Sequence, residues 1–419
     1  MAKKILIIGA NAETASLVKK ANSMGLETYV TDYNEKAYAK KFAIHPCYVD
    51  GSDVDGLQNL VEENRIDAVL VGVAEALIPA YCELCRRLNI PCFASMEQFE
   101  IMINKARFKE TCRKYGVPVV DEFDIKDKES IRFPVVVKPV DSSSSKGVYI
   151  CNDLADLEIK IKMSLEFSKS KQLIIEKYMG GLEVIMYYVI QDGEPSFVAM
   201  CDRYTSKEQL GVTQLPSAYI FPSKHIQSFI SKGDQEVRSM LKGMGVKNGV
   251  LFLQAFIDDD GSVKIYEPGF RLNGAQEHMI VSKICGIDAK ELLINYALKG
   301  KMSESRVRDL ADPNFKGMVA CKLSPLVVEG QIGTITGIEE IEKIDGIIAV
   351  NPNYDDGDTV KGLGTQRQMA ANIFMYADSI KRLKDIIDRT IELFKVNDVN
   401  GNNMLLKPFD TSILLKEYR

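Results

Sequence analysis

Short runs of β-branched and aliphatic residues alternate with stretches of helical periodicity through the first hundred residues. The runs at 5–8, 27–31, 68–71 and 92–94 are too short for helices and have the composition of pleated strands. Between them, apolar residues recur every three to four places over about 12–24, 55–64 and 76–88, as they do on one face of a helix. This alternation predicts a parallel sheet with helices on both faces. Gly9-Ala10-Asn11-Ala12-Glu13-Thr14 follows the first strand where a dinucleotide fingerprint would carry three glycines, and only the first is present. Asp32 ends the second strand, where a ribose-binding acid would sit, but without the later glycines the pattern predicts a Rossmann-like fold put to another use.

A strongly helical stretch over 97–115 ends at Gly116-Val117-Pro118, a helix stop that opens a new unit. Strands are expected at 135–138, 147–151 and 173–176, with a helix over about 153–167 and a polar loop of four serines, 142–145, followed by Lys146-Gly147. Two hairpins follow, 183–191 returning through Asp192-Gly193 to 195–201, and 250–257 returning through 258–261 to 263–267. The last hundred residues hold a strand at 317–323, Gly-punctuated short strands over 330–364 and a closing helix near 376–395. The expected class is α/β plus α+β, with segments 1–103, 104–305 and 306–419 and a mobile lid over 117–176.

Charge narrows the partners. Among 419 residues, 53 Lys+Arg face 58 Asp+Glu, a net charge of −5, so no global positive field draws the chain to nucleic acid or an anionic membrane. No apolar run reaches the ~18 residues of a bilayer span, and Met1-Ala2-Lys3-Lys4 leads straight into a strand, so a cytoplasmic protein is expected. Nine scattered cysteines, an odd number, suit reduced buried thiols, and Cys82-x-x-Cys85 reads as core packing. Three histidines in all argue against histidine-based chemistry; His45 and His225 read as structural, and His278 lies one turn into a helix close to the candidate site.

The second hairpin carries the candidate chemistry. With its turn near Gly261, Gln254 falls opposite Glu267 on adjacent strands, their Cβ atoms about 5 Å apart. An amide and a carboxylate oxygen so placed are hard ligands of the kind Mg²⁺ takes alongside nucleotide phosphates. The continuation Pro268-Gly269-Phe270-Arg271-Leu272-Asn273-Gly274 adds a guanidinium and another amide. Lys138 ends the apolar run Phe133-Pro134-Val135-Val136-Val137, and a lysine at the end of a buried strand needs an anionic partner. The loop after it offers hydroxyls, N–H groups and the Lys146 ammonium to phosphate oxygens. Glu176 and Glu183 close another buried strand and open the first hairpin, and Arg203 leaves that hairpin, where a substrate contact and a surface ion pair are both open.

Taken in order, these motifs resemble the ATP-grasp superfamily, in its carboxylate–amine ligase branch, to which carbamoyl-phosphate synthetase, biotin carboxylase and the L-amino acid ligases belong. The resemblance implies a Rossmann-like N-terminal domain, a two-lobed ATP-grasp domain and a small C-terminal α+β domain. It implies that Lys105, in Asn104-Lys105-Ala106-Arg107-Phe108-Lys109, and Lys138 contact nucleotide phosphate. Ser143, Ser144, Ser145, Lys146 and Gly147 match the loop that closes over the phosphates, with Lys146 taken as catalytic. Glu176, Lys177, Tyr178 and Met179 match the hinge that reads adenine, and Glu183 the ribose-binding acid. Gln254 and Glu267 match the paired metal ligands, and Arg271 the arginine facing the transferred phosphoryl or acyl group. The family's Asn two places after the Glu is replaced by Gly269, leaving Asn273 or a water to supply that oxygen. The implied reaction is ADP-forming ligation of a carboxylate to an amine through an acyl phosphate, with an amino acid as the expected substrate, ATP and Mg²⁺, for which Mn²⁺ is an allowed substitute. Small-molecule carboxylate and amine substrates are the implied partners, and a homodimer is compatible with the resemblance. A bicarbonate-phosphorylating carboxylase of the same fold and a non-catalytic nucleotide sensor remain the alternatives.

Overall fold

The computed structural model describes residues 2–142, 146–205 and 215–418. Strands Lys4–Ile8, Glu27–Thr31, His45–Cys47 and Ala68–Val71 pair in parallel, in the spatial order His45–Cys47, Glu27–Thr31, Lys4–Ile8, Ala68–Val71. Ile5 to Ile8 are fully buried, as expected of a strand covered on both faces. The edge strand His45–Cys47 was not anticipated, because His45-Pro46-Cys47 carries no strand composition. No strand forms at 92–94; Phe93 there packs edge-on against Phe99 and Phe270 instead.

The helical stretch expected over 97–115 is two helices, Met96–Ile103 and Lys105–Lys114. They break at Asn104, whose side chain accepts from the N–H groups of Ala106 and Arg107 and so caps the second helix. That cap fixes where Lys105 points.

Glu122–Phe123, Leu173–Lys177, Val135–Pro139 and Tyr149–Cys151 form a small antiparallel sheet in that order, covered on one face by the helix Leu154–Glu166. It has a core of its own in Ile131, Val135, Val137, Cys151, Leu157 and Ile175. Because side chains alternate along a strand, Val136, Lys138, Ile174 and Glu176 take the other face, which looks into a cleft.

Across that cleft runs an eight-stranded antiparallel sheet. Its spatial order is Val263–Gly269, Gly249–Ile257, Glu183–Gln191, Glu194–Thr205, Pro216–Phe221, Val319–Leu323, Ala371–Ala377, Ile347–Pro352. One sheet therefore carries strands from both the expected 104–305 and 306–419 segments, joined where Pro216–Phe221 pairs with Val319–Leu323. Two of its strands were not read from the sequence: Pro216–Phe221, and Ala371–Ala377, which takes the residues where the closing helix was expected to start; that helix begins at Ile380.

Candidate active site

Three lysines converge on the outer end of the cleft. Lys138 and Glu176 are diagonal neighbours on one face of the small sheet, since Val136 pairs with Glu176 and Lys138 with Ile174. Their side chains meet at 2.7 Å with both about 95% buried. Lys109, fully buried on the helix Lys105–Lys114, contacts the other Glu176 oxygen and donates to the Val120 carbonyl at 3.0 Å. Burial pushes the Glu176 carboxyl up, but Lys138 and Lys109 outweigh it and hold it below the usual range. Burial pushes the Lys109 ammonium down to about 8 against the pull of Glu176. Lys105, one turn before Lys109 on the same face, donates to the Ser142 carbonyl at 2.7 Å and lies 3.2 Å from Glu267. It ties the root of the serine loop to the second hairpin.

The hairpin places Gln254 directly opposite Glu267, with a bulge between Gln254 and Ala255 that leaves Tyr266 without a partner across the ladder. A bulge lets successive residues share a face. Tyr266 donates to Glu183, and the Lys138 ammonium lies 5.4 Å over its ring, while Glu267 reaches Lys105. Gly269 has a packing reason: a Cβ there would stand 2.0 Å from the Phe252 ring. That ring in turn lies 5.3 Å from the Arg271 guanidinium, so the space of the family's Asn is filled by an aromatic support for Arg271. Asn273 accepts from the Ala275 N–H at 3.1 Å and is 3.4 Å from Glu277, so its oxygen is committed to the local turn. Arg271 also lies 3.4 Å from Glu75 of the N-terminal segment, a carboxyl that burial raises and Arg271 pulls back.

In the hinge, Lys177 pairs with Asp258 at 2.9 Å, Tyr178 is exposed and Met179 is buried. Gly181 is pressed against the next strand so closely that a Cβ would lie 2.1 Å from the Ile257 carbonyl oxygen. Lys146 is exposed, its carbonyl accepting from the Ser142 hydroxyl at 3.0 Å, and Gly147 has φ +75° with Phe167 and Pro139 crowding its Cβ position. Ser143, Ser144 and Ser145 lie outside the described residues.

From the outer end a row of side chains runs inward. Glu183, Arg203, Tyr219 and Lys322 face one another in register on four adjacent strands. At about 4.8 Å per strand the row spans about 14 Å. Arg203 is half-buried and bonded to Glu183, which removes the surface ion pair left open for it. The Tyr219 ring sits between the Arg203 guanidinium at 5.6 Å and the Lys322 ammonium at 4.3 Å. His278 opens the helix His278–Cys285 half-buried rather than on its surface, and desolvation with nearby Lys290 pushes it down to about 3, so it stays neutral. Lys109, Glu75, Glu13, Glu277 and Lys322 were not singled out from the sequence. Two had a readable signal: Lys109 falls four places after Lys105 on one helix, and Val319-Ala320-Cys321-Lys322-Leu323 repeats the pattern of an apolar strand closing on lysine.

Residues 131–276 match the ATP-grasp domain family. The carbamoyl phosphate synthase large chain of Clostridium beijerinckii is 21% identical over 323 residues, 72% of this chain and 30% of that protein, so the chain spans less than a third of that relative. In structure it is similar to the L-amino acid ligase of Bacillus licheniformis, with TM-score 0.76 and 20% identity over 94% of this chain and 98% of that one. It is similar as well to the biotin carboxylase domain dimer of the Hydrogenobacter thermophilus 2-oxoglutarate carboxylase, solved with MgADP and bicarbonate, with TM-score 0.77 and 18% identity over 95% and 91% of the two chains. The two structural likenesses show a shared fold over nearly the whole chain.

Proposed function

We propose that the chain is an ADP-forming carboxylate–amine ligase that activates a carboxylate as its acyl phosphate. The observation that carries this reading is the gathering of Lys105, Lys138, Gln254, Glu267 and Arg271 around one cleft between two sheets. Charge building on a transferring phosphoryl group must be offset by fixed cations, and two buried lysines and an arginine suit that task. Gln254 and Glu267 offer the oxygen donors Mg²⁺ takes, and the ion, when bound, offsets phosphate charge. ATP is the phosphoryl donor, with its phosphates at Lys105 and Lys138, its adenine at Glu176–Met179 and its ribose toward Glu183. In the structure Glu176 holds Lys138 and Glu267 holds Lys105, so both cations are positioned before phosphate arrives. Arg271, braced by Phe252 and Glu75, faces the acyl oxygen on which charge develops. An acyl phosphate hydrolyses if water reaches it, and the small sheet over 117–176, with its own core, serves as the lid.

Substrate-dependent ADP release over a matrix of carboxylates and amines, with hydroxylamine as a trap, tests the reading. ADP release that requires a carboxylate, together with its acyl hydroxamate, is expected. Nucleotide binding with no carboxylate-dependent turnover would favour a sensor instead, a reading to which the aromatic ring in place of the family's Asn lends support.

A further inference from the structure

The Gly9–Thr14 stretch fails as a dinucleotide fingerprint, yet it is turned toward the catalytic loop. A Cβ on Gly274 would stand 3.5 Å from the Glu13 Cγ, so Glu13 lies against the loop that carries Arg271 and Asn273. Opposite, Lys322 ends the row that begins at Glu183. It is fully buried, and its ammonium has no hydrogen-bond acceptor among the described residues, only the Tyr219 ring at 4.3 Å. Glu277 is fully buried too, with the Tyr187 hydroxyl near its carboxyl, and its Oε2 has no donor in hydrogen-bond geometry among the described residues. Lys322 stands beside Tyr219, Glu13 against the Arg271 loop and Asn273 3.4 Å from Glu277, and the fields of Glu277 and Glu13 both reach Lys322, so the four groups form one cluster.

A buried ammonium without an acceptor and a buried carboxylate oxygen without a donor are each costly, and native interiors leave few such groups. A ligand with an anionic and a cationic group satisfies both at once. The remaining charges argue for the same ligand. Arg203 is matched by Glu183 and Arg271 by Glu75, which leaves Lys322 with Glu277 and Glu13, so a plain carboxylate adds a negative charge to two carboxyls already there, whereas a ligand of no net charge adds none.

We propose that this cluster is an α-amino-acid site, in which the ligand's carboxylate faces Lys322 and Arg271 and its ammonium faces Glu277 and Glu13. The N-terminal segment thereby reads the amino group of the substrate, and the site rests on the ligase reading only for what becomes of the bound amino acid.

Calorimetry on the full chain saturated with ADP·Mg²⁺ tests it, with the twenty L-amino acids as probes and the N-acetyl and carboxamide derivative of each binder as controls. At least one amino acid is expected to bind, and to bind tenfold or more weaker when either end is blocked. Glu13→Gln should narrow the preference for the free amine, and Lys322→Met, an apolar replacement of similar length whose folding circular dichroism checks, should abolish binding. No binding by any of the twenty, equal binding of the N-acetyl form, or an unchanged preference in Glu13→Gln overturns the proposal. ADP release run in parallel separates the two readings. Lys322-dependent amino-acid binding without turnover upholds the site against the ligase, and equal turnover of the deaminated acid upholds the ligase against the site.

Discussion

Lys105, Lys109 and Lys138 at the outer end of the cleft and Lys322 at its inner end are buried alike, at 6%, 0%, 6% and 0% exposure, but they keep different company. The outer three share Glu176 and Glu267 as partners, and Lys322 has an aromatic face and no hydrogen-bond acceptor among the described residues. A paired cation is stable before its ligand comes, and the ligand must compete with the carboxylate that holds it. An unpaired one weakens the fold until something fills the space beside it. The outer end thus stands ready for a nucleotide at little cost to the fold, and the inner end gives up stability for recognition.

The largest effect should come from breaking the outer network at its centre. Lys109→Met leaves Glu176 buried with one cation in place of two, and loss of a partner from such a pair costs about 3–5 kcal/mol. Chemical denaturation is the measure, and an unchanged midpoint would show that Lys138 alone suffices. Lys138→Ala should weaken ADP·Mg²⁺ binding by ~2–4 kcal/mol in calorimetry, since it removes a buried cation from the phosphates. Arg271→Ala should lower kcat by about 10²-fold or more with nucleotide affinity little changed, and Arg271→Lys should rescue poorly, because an ammonium cannot make a bidentate contact.

The inner end should behave the opposite way. Burial pushes the Lys322 ammonium down to about 8, so the folded state gives up its proton more readily than the unfolded chain. That cost is fully present below about pH 8 and is relieved as pH rises toward the unfolded value near 10.4, where native and unfolded states again bind equal protons. Lys322→Met should therefore raise stability by on the order of 1–3 kcal/mol at pH 7, and the gain should fade between pH 8 and 10.4. A mutant less stable at pH 7, with no such fading, would mean that Lys322 is satisfied in the free protein. The smallest expected effect is a preference for ATP over GTP at the hinge, checked by comparing kcat/KM for the two.

The contrast between the two ends also sets how much the sequence reveals. Lys138 was legible because an apolar strand that closes on lysine is rare and the acids Glu176 and Glu183 follow in the same unit. The pairing of Gln254 with Glu267 was legible because a tight turn fixes register, although the bulge that also turns Tyr266 into the cleft was not. The inner row was hidden because it depends on strands far apart in sequence. Pro216–Phe221 was not read as a strand, and without it Arg203 has no route to Lys322. Glu13 and Glu75 were hidden for a related reason: each belongs to a local loop of the N-terminal sheet, and only tertiary packing brings it to Arg271 and Gly274. The reason for Gly269 lies in the Phe252 ring across the hairpin, a contact that no pattern of residue types announces.

The central claim is that the cleft phosphorylates a carboxylate, and the fate of the carboxylate oxygens tests it most directly. The carboxylate that gives the greatest ADP release, labelled with ¹⁸O in both oxygens, should pass one of them to phosphate when the amine displaces it from the acyl phosphate. The expected result is inorganic phosphate carrying a single ¹⁸O for every ADP formed. Unlabelled phosphate released at the same rate as ADP would contradict the account.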